Sequence, residues 1–115
     1  MPLTMYGIPA CDTIKKARTW LGEKGVAFTF HNYKTDGIDR ATLERWVDKL
    51  GWEALLNRSG TTFRKLPEEQ RADLDRERAI AIMLANPSAI RRPVLEDGDT
   101  LLVGFKPESY AQHWS

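Results

Sequence analysis

The sequence predicts an α/β fold built on a mixed four-stranded sheet, in the order β-α-β, helical insert, β-β-α. Three observations carry this. A strand-like run, a helical stripe and a second strand-like run follow one another within residues 3–31. The middle of the chain then switches to helical periodicity, and near its end an Asp-Gly pair sits between two apolar runs, a strong hairpin signal.

Leu3 to Ile8 is short and apolar, bounded by Gly7 and Pro9, and reads as the first strand, with Pro9 enforcing a turn. From Asp12 the pattern is helical. Ile14, Ala17 and Leu21 recur at i, i+3 and i+7, Trp20 widens the stripe, and Lys15, Lys16 and Arg18 take the outer face. Gly22 weakens this helix and Gly25 is placed to end it as the residue after its cap. Val26 to His31 is aromatic and β-branched and reads as a second strand, parallel to the first because a helical crossover joins them.

Asp36-Gly37 then turns the chain, and Asp39 is suited to cap a helix that buries Leu43, Trp46, Val47 and Leu50 and closes at Gly51. Trp52, Leu55 and Leu56 suggest a further helical turn, and Asn57 to Thr62 a polar loop. Pro67 to Leu74 and Arg76 to Ala85 read as two more helices, the second burying Ile80, Met83 and Leu84 before Pro87 stops it. Pro93 to Glu96 and Thr100 to Val103 flank Asp97-Gly98 as the hairpin strands, and Pro107 to His113 forms a last helix. The expectation is one domain over residues 1–115, with a helical insert at about residues 38–88 of the sequence.

Composition bounds the function. A chain of 115 residues supports one core. Charged residues make up 29% but nearly cancel to a net +1, which argues against non-specific nucleic-acid binding and against a membrane-surface protein. No run approaches the ~20 apolar residues of a membrane helix, and Met1 to Met5 lacks the features of a secretory signal. A single cysteine makes no internal disulfide, so the expected setting is cytoplasmic, with a reduced thiol.

That cysteine, Cys11, lies where the first strand gives way to the first helix. Free cysteines are most often small buried apolar residues. This one stands where unpaired amides and the positive end of the helix dipole stabilise an anion, and the thiolate is the nucleophilic form. The C-terminal edge of a parallel strand pair is also where α/β sheets hold ligands. Asp12 opposes a thiolate next door, and Lys15 and Lys16 offset it one turn on. Ile14 stands where a Cys-x-x-Cys pair would have its second thiol, so release of a mixed disulfide requires an external thiol, for which glutathione is the natural candidate. Arg92, just before Pro93, offers a fork suited to a carboxylate or an oxyanion. The polar stretch from Asn57 through Arg58 to Lys65, and Lys106 beside Gly104 and Phe105, are further anion-binding candidates. With two histidines and no second cysteine, no metal site is expected.

Four segments carry a resemblance. Gly7-Ile8-Pro9-Ala10-Cys11-Asp12-Thr13-Ile14-Lys15-Lys16-Ala17-Arg18, Leu55-Leu56-Asn57-Arg58, Arg91-Arg92-Pro93-Val94 and Val103-Gly104-Phe105-Lys106-Pro107 resemble the arsenate reductase (ArsC)/Spx-like family, and within it the YffB branch of bacterial proteins. The resemblance implies a thioredoxin-like fold interrupted by a helical subdomain, and a cis Arg92-Pro93 bond beside the cysteine. It implies Cys11 as nucleophile and Arg92 as an anion-binding arginine. The family's other two anion-binding arginines fall on Asn57, with Arg58 one place late, and on Lys106. An ammonium lacks the planar bidentate fork, which disfavours arsenate, and the YffB resemblance implies instead that Arg92, Arg58 and Lys106 bind glutathione carboxylates. The implied activity is a glutathione-dependent thiol-disulfide oxidoreductase, with Arg92, Pro93, Arg58, Lys106, Asn57 and Lys15 lining the substrate site. Glutaredoxin-coupled arsenate reduction and Spx-like binding to RNA polymerase are the alternatives. The expected partners are glutathione, a glutaredoxin and a disulfide or oxyanion substrate, with no bound cofactor and a monomeric chain.

Overall fold

The computed structural model describes residues 3–9 and 11–114. Among the described residues four strands and eight helices follow in order: β1 (Leu3–Gly7), α1 (Asp12–Glu23), β2 (Thr29–Asn32), α2 (Tyr33–Asp36), α3 (Arg40–Leu50), α4 (Trp52–Leu55), α5 (Thr61–Arg64), α6 (Glu68–Arg71), α7 (Arg76–Ala85), a 3-10 turn at Pro87–Ala89, β3 (Val94–Asp97), β4 (Thr100–Val103) and α8 (Pro107–His113). They divide into two compact units, one running to Thr35 and resuming at Arg92, the other Asp36–Arg91.

The first unit holds the sheet, in the order β2-β1-β3-β4. β1 and β2 are parallel with Gly7 opposite Asn32, while β1 pairs with β3, and β3 with β4, antiparallel. This is the mixed four-stranded sheet of a thioredoxin-like fold. Along β1, Leu3, Met5 and Gly7 are buried and Thr4 and Tyr6 half-buried, the period-2 alternation of a pleated strand. The apolar stripe of α1 supplies Ile14, Ala17 and Leu21, which cluster with Leu3, Met5, Leu95 and Tyr110. α1 ends as the glycine spacing predicts. Gly25 adopts φ +70, its amide donates to Gly22 O, and Val26 N donates to Leu21 O at 2.9 Å. That last bond shortens the second strand relative to expectation. Val26 is committed to closing the helix, and strand pairing begins only at Thr29. The hairpin also shifts by one residue: Asp97 pairs with Thr100, so Gly98-Asp99 is the two-residue turn, with Gly98 at φ +62.

The second unit is helical. Asp39 caps α3 by accepting from Thr42 N at 2.7 Å, and Asp75 caps α7 by accepting from Arg78 N at 2.8 Å. α3 packs on α4 and α7 and buries Leu43, Trp46 and Val47. Leu50 is exposed rather than buried, because it is the last residue of α3 and Gly51 turns the chain away at φ +87. In α7, Ile82 is buried in place of the expected Leu84, which sits at the margin of the stripe centred on Ala79 and Met83. The helix expected from Pro67 to Leu74 is a single turn, Glu68–Arg71: the chain leaves it at Ala72, which is extended (φ −84, ψ 155), and Asp73 follows at a left-handed φ of +51. Among the described residues, no helix is long and apolar enough to cross a membrane.

Candidate active site

The site is built on one edge of the sheet. β1 ends at Gly7, Ile8 is buried, and Cys11 becomes the N-cap of α1 with extended backbone (φ −77, ψ 130). The Cys11 amide donates to Ile8 O at 3.2 Å and its carbonyl accepts from Lys15 N at 3.1 Å, the first helical bond. Its side chain makes no capping hydrogen bond, so the sulfur is not consumed in closing the helix. The thiol is free and half-buried, packed against the cluster around Ile14 and Met5. The amides of the first turn of α1 have no intrahelical acceptor, which puts the positive end of a twelve-residue helix at this sulfur.

Three further segments reach the same edge through strand register. Val94 lies opposite Tyr6, so Pro93 falls one step further on, level with Gly7, where β1 turns toward Cys11. The Arg92-Pro93 peptide is cis, Pro93 is buried, and Arg92 is half-buried. Val94 also pairs with Val103, and Gly104 N extends that ladder by donating to Pro93 O at 2.8 Å. Gly104 takes φ +81, and two residues later Lys106 is the exposed N-cap of α8, its carbonyl accepting from Ser109 N and Tyr110 N. The turn is held from below by Tyr110, whose buried hydroxyl donates to Gly104 O at 3.0 Å. Cys11, Arg92, Pro93 and Lys106 thus converge on one edge. Among the described residues, no salt bridge engages Arg92 or Lys106.

Lys15 is exposed one turn into α1 and lines an open groove of about 320 Å³ with Lys16, Thr19, Trp20, Glu23 and Phe105. Asn57 and Arg58 belong to the helical unit. Asn57 N donates to Ala89 O at 2.8 Å, and the exposed Arg58 guanidinium lies 5.5 Å from the Trp52 ring centroid. Among the described residues, no cluster of three or more His, Cys, Asp or Glu side chains could hold a metal.

Sequence reasoning missed an aromatic group at the end of β2. Tyr33 follows Asn32 directly and is buried, with Tyr6 at 6.4 Å and His31 at 6.0 Å between ring centroids. Burial is the main reason its phenol resists ionisation. Tyr6 acts in the same sense, while the Arg92 charge acts in the opposite one. The available signal was its position immediately after a strand parallel to the one that delivers the cysteine.

Comparison with known proteins fits this geometry. The family model described as the ArsC family matches residues 6–113, spanning Cys11, Arg92 and Lys106. The chain belongs to the ArsC family. A solved YffB protein is 60% identical, superposes with a TM-score of 0.96, and the match covers 98% of this chain and 99% of that one. A solved arsenate reductase (ArsC) related protein from Brucella melitensis is 53% identical with a TM-score of 0.79, covering 98% of this chain and 94% of that one. The global transcriptional regulator Spx 2 of Lactococcus lactis is 32% identical over 108 residues, covering 92% of this chain and 81% of its own. ArsC-family membership and the free N-cap cysteine together support thiol-based chemistry.

Proposed function

We propose that this protein is a glutathione-dependent thiol-disulfide oxidoreductase with Cys11 as its nucleophile. The observation that carries the reading is a free, half-buried thiol capping α1 without a side-chain hydrogen bond, at the sheet edge that also bears Arg92 and Lys106. The Cys11 thiolate attacks the glutathione sulfur of a mixed disulfide. One S–S bond breaks as another forms, leaving Cys11 joined to glutathione and expelling the substrate as a thiolate, which takes up a proton. A second glutathione thiolate then attacks the glutathione sulfur on Cys11, releasing glutathione disulfide and restoring the Cys11 thiolate. In the net reaction one glutathione thiol is oxidised: the glutathionylated substrate and glutathione give the substrate thiol and glutathione disulfide. With Ile14 in place of a second thiol, no intramolecular route competes with this external release. Arg92 and Lys106 supply the positive charge that holds glutathione carboxylates, Arg92 through a bidentate fork and Lys106 as a point charge.

The test is glutathione-coupled reduction of a glutathionylated substrate. Cys11→Ser is expected to abolish turnover. Arg92→Ala is expected to raise the KM for glutathione by about tenfold or more, the loss of a charge-assisted hydrogen bond. Turnover retained in Cys11→Ser refutes the reading. The 53% identity to an arsenate reductase related protein favours arsenate reduction as the second reading. Arsenate-dependent NADPH oxidation in a glutaredoxin-coupled assay supports it, and silence at millimolar arsenate removes it.

A further inference from the structure

β1 delivers Cys11, and its two neighbours in the sheet deliver a residue each to the same edge: Arg92 stands just before β3 on one flank and Tyr33 just after β2 on the other. Tyr33 is only 4% exposed, and among the described residues its hydroxyl has no hydrogen-bond partner. A buried hydroxyl left in that condition costs stability, so its retention calls for something that it meets in the working protein. Tyr110 gives the contrast within the same unit, since its buried hydroxyl is spent on Gly104 O. The Tyr33 phenol keeps its proton through the physiological range and is therefore a donor, and the Arg92 charge reaches it. A neutral O–H donor and a guanidinium flanking one strand end form a complementary pair for an anionic oxygen, because both donate and neither competes for the proton.

We propose that Tyr33 is a ligand-binding residue whose hydroxyl donates to a substrate carboxylate held by Arg92, so that this edge selects small thiols bearing a carboxylate over neutral thiols. This deepens the glutathione reading given above and rests on it. The role of Tyr33 is specificity rather than sulfur chemistry.

The experiment uses Tyr33→Phe, which removes only the hydroxyl. The ratio of kcat/KM for glutathione to that for 2-mercaptoethanol is expected to fall about tenfold, the worth of a hydrogen bond to a charged group. In parallel, the unreactive analogue S-methylglutathione is titrated for its protection of Cys11 against alkylation, and its half-protecting concentration is expected to rise about tenfold. The melting temperature of the free protein is expected to hold or rise, since an unpartnered buried hydroxyl has been removed. An unchanged protection curve, or a fall in melting temperature that reveals a structural partner, overturns the assignment. Wild-type protein that is protected by S-methylglutathione yet turns over no glutathione refutes the oxidoreductase reading while the Tyr33 assignment stands. Equal protection of wild type and Tyr33→Phe alongside normal turnover refutes Tyr33 alone.

Discussion

Gly7 connects the sheet to the nucleophile, and Gly7→Ala tests how tightly that connection is built. A Cβ at Gly7 would lie 2.3 Å from Ile14 Cδ1 and 3.1 Å from Ile14 Cγ1, both inside ordinary van der Waals contact. Ile14 is fully buried among Met5, Ala17, Leu21 and Leu95, so its terminal methyl cannot retreat without displacing other core atoms. Overpacking of this kind costs roughly 1–3 kcal/mol. For a chain of this size that is a fall in melting temperature of about 4 °C per kcal/mol. Ile14→Val deletes the colliding Cδ1 and alone costs about 0.5–1.5 kcal/mol. The double variant should therefore be close to Ile14→Val, giving a favourable coupling of about 1 kcal/mol or more. Urea unfolding followed by tryptophan fluorescence measures all four corners of the cycle. Because Ile14 lies in the first turn of α1, Gly7→Ala should also change the alkylation rate of Cys11, and Ile14→Val should restore it. A Gly7→Ala protein within about 0.5 kcal/mol of wild type, or a coupling near zero, refutes the close approach of β1 and α1.

Other outcomes follow from single contacts. Tyr110→Phe loses the hydrogen bond to Gly104 O and should cost about 1–3 kcal/mol in thermal or urea unfolding, opposite in direction to Tyr33→Phe. Asp39→Ala and Asp75→Ala each remove an N-cap and should each cost about 1 kcal/mol in urea unfolding. The phenols of Tyr33 and Tyr110 are both held above their ordinary value, chiefly by burial. The unfolded chain releases those protons first, so their contribution is intact below pH ~10 and is lost as pH rises further. In an alkaline spectrophotometric titration both should ionise only as the chain unfolds. Phenolate absorbance from either at full native signal contradicts their burial.

Much of the fold was legible because local and global signals agree. The Ile14-Ala17-Leu21 stripe and the Asp39 cap each name an element whose tertiary environment rewards the same choice, and the Asp-Gly signal names the β3-β4 hairpin one residue away from its observed Gly98-Asp99 turn. The failures have physical causes of their own. Val26 has strand chemistry, but its amide closes α1 through Leu21 O. The helical turns of Tyr33–Asp36 and Thr61–Arg64 are too short to show periodicity. The helix starting at Glu68 stops after one turn because Ala72 is extended and Asp73 left-handed, backbone conformations that composition does not announce. At the site, Cys11 could be read from its place between strand and helix. Arg92 and Lys106 gained meaning only when antiparallel register and the Gly104 to Pro93 bond brought them to the same edge. Tyr33 stayed hidden because its significance lies in a missing partner, which a sequence does not display.

The most direct measurement is the rate at which glutathione disulfide glutathionylates Cys11 near neutral pH, followed by mass spectrometry on the folded chain and on the same chain in urea. Faster adduct formation in the folded protein, with the adduct then removed by added glutathione, is the expected result. A folded chain that reacts no faster than the unfolded one, or an adduct that glutathione cannot release, contradicts a nucleophile prepared by its place at the start of α1.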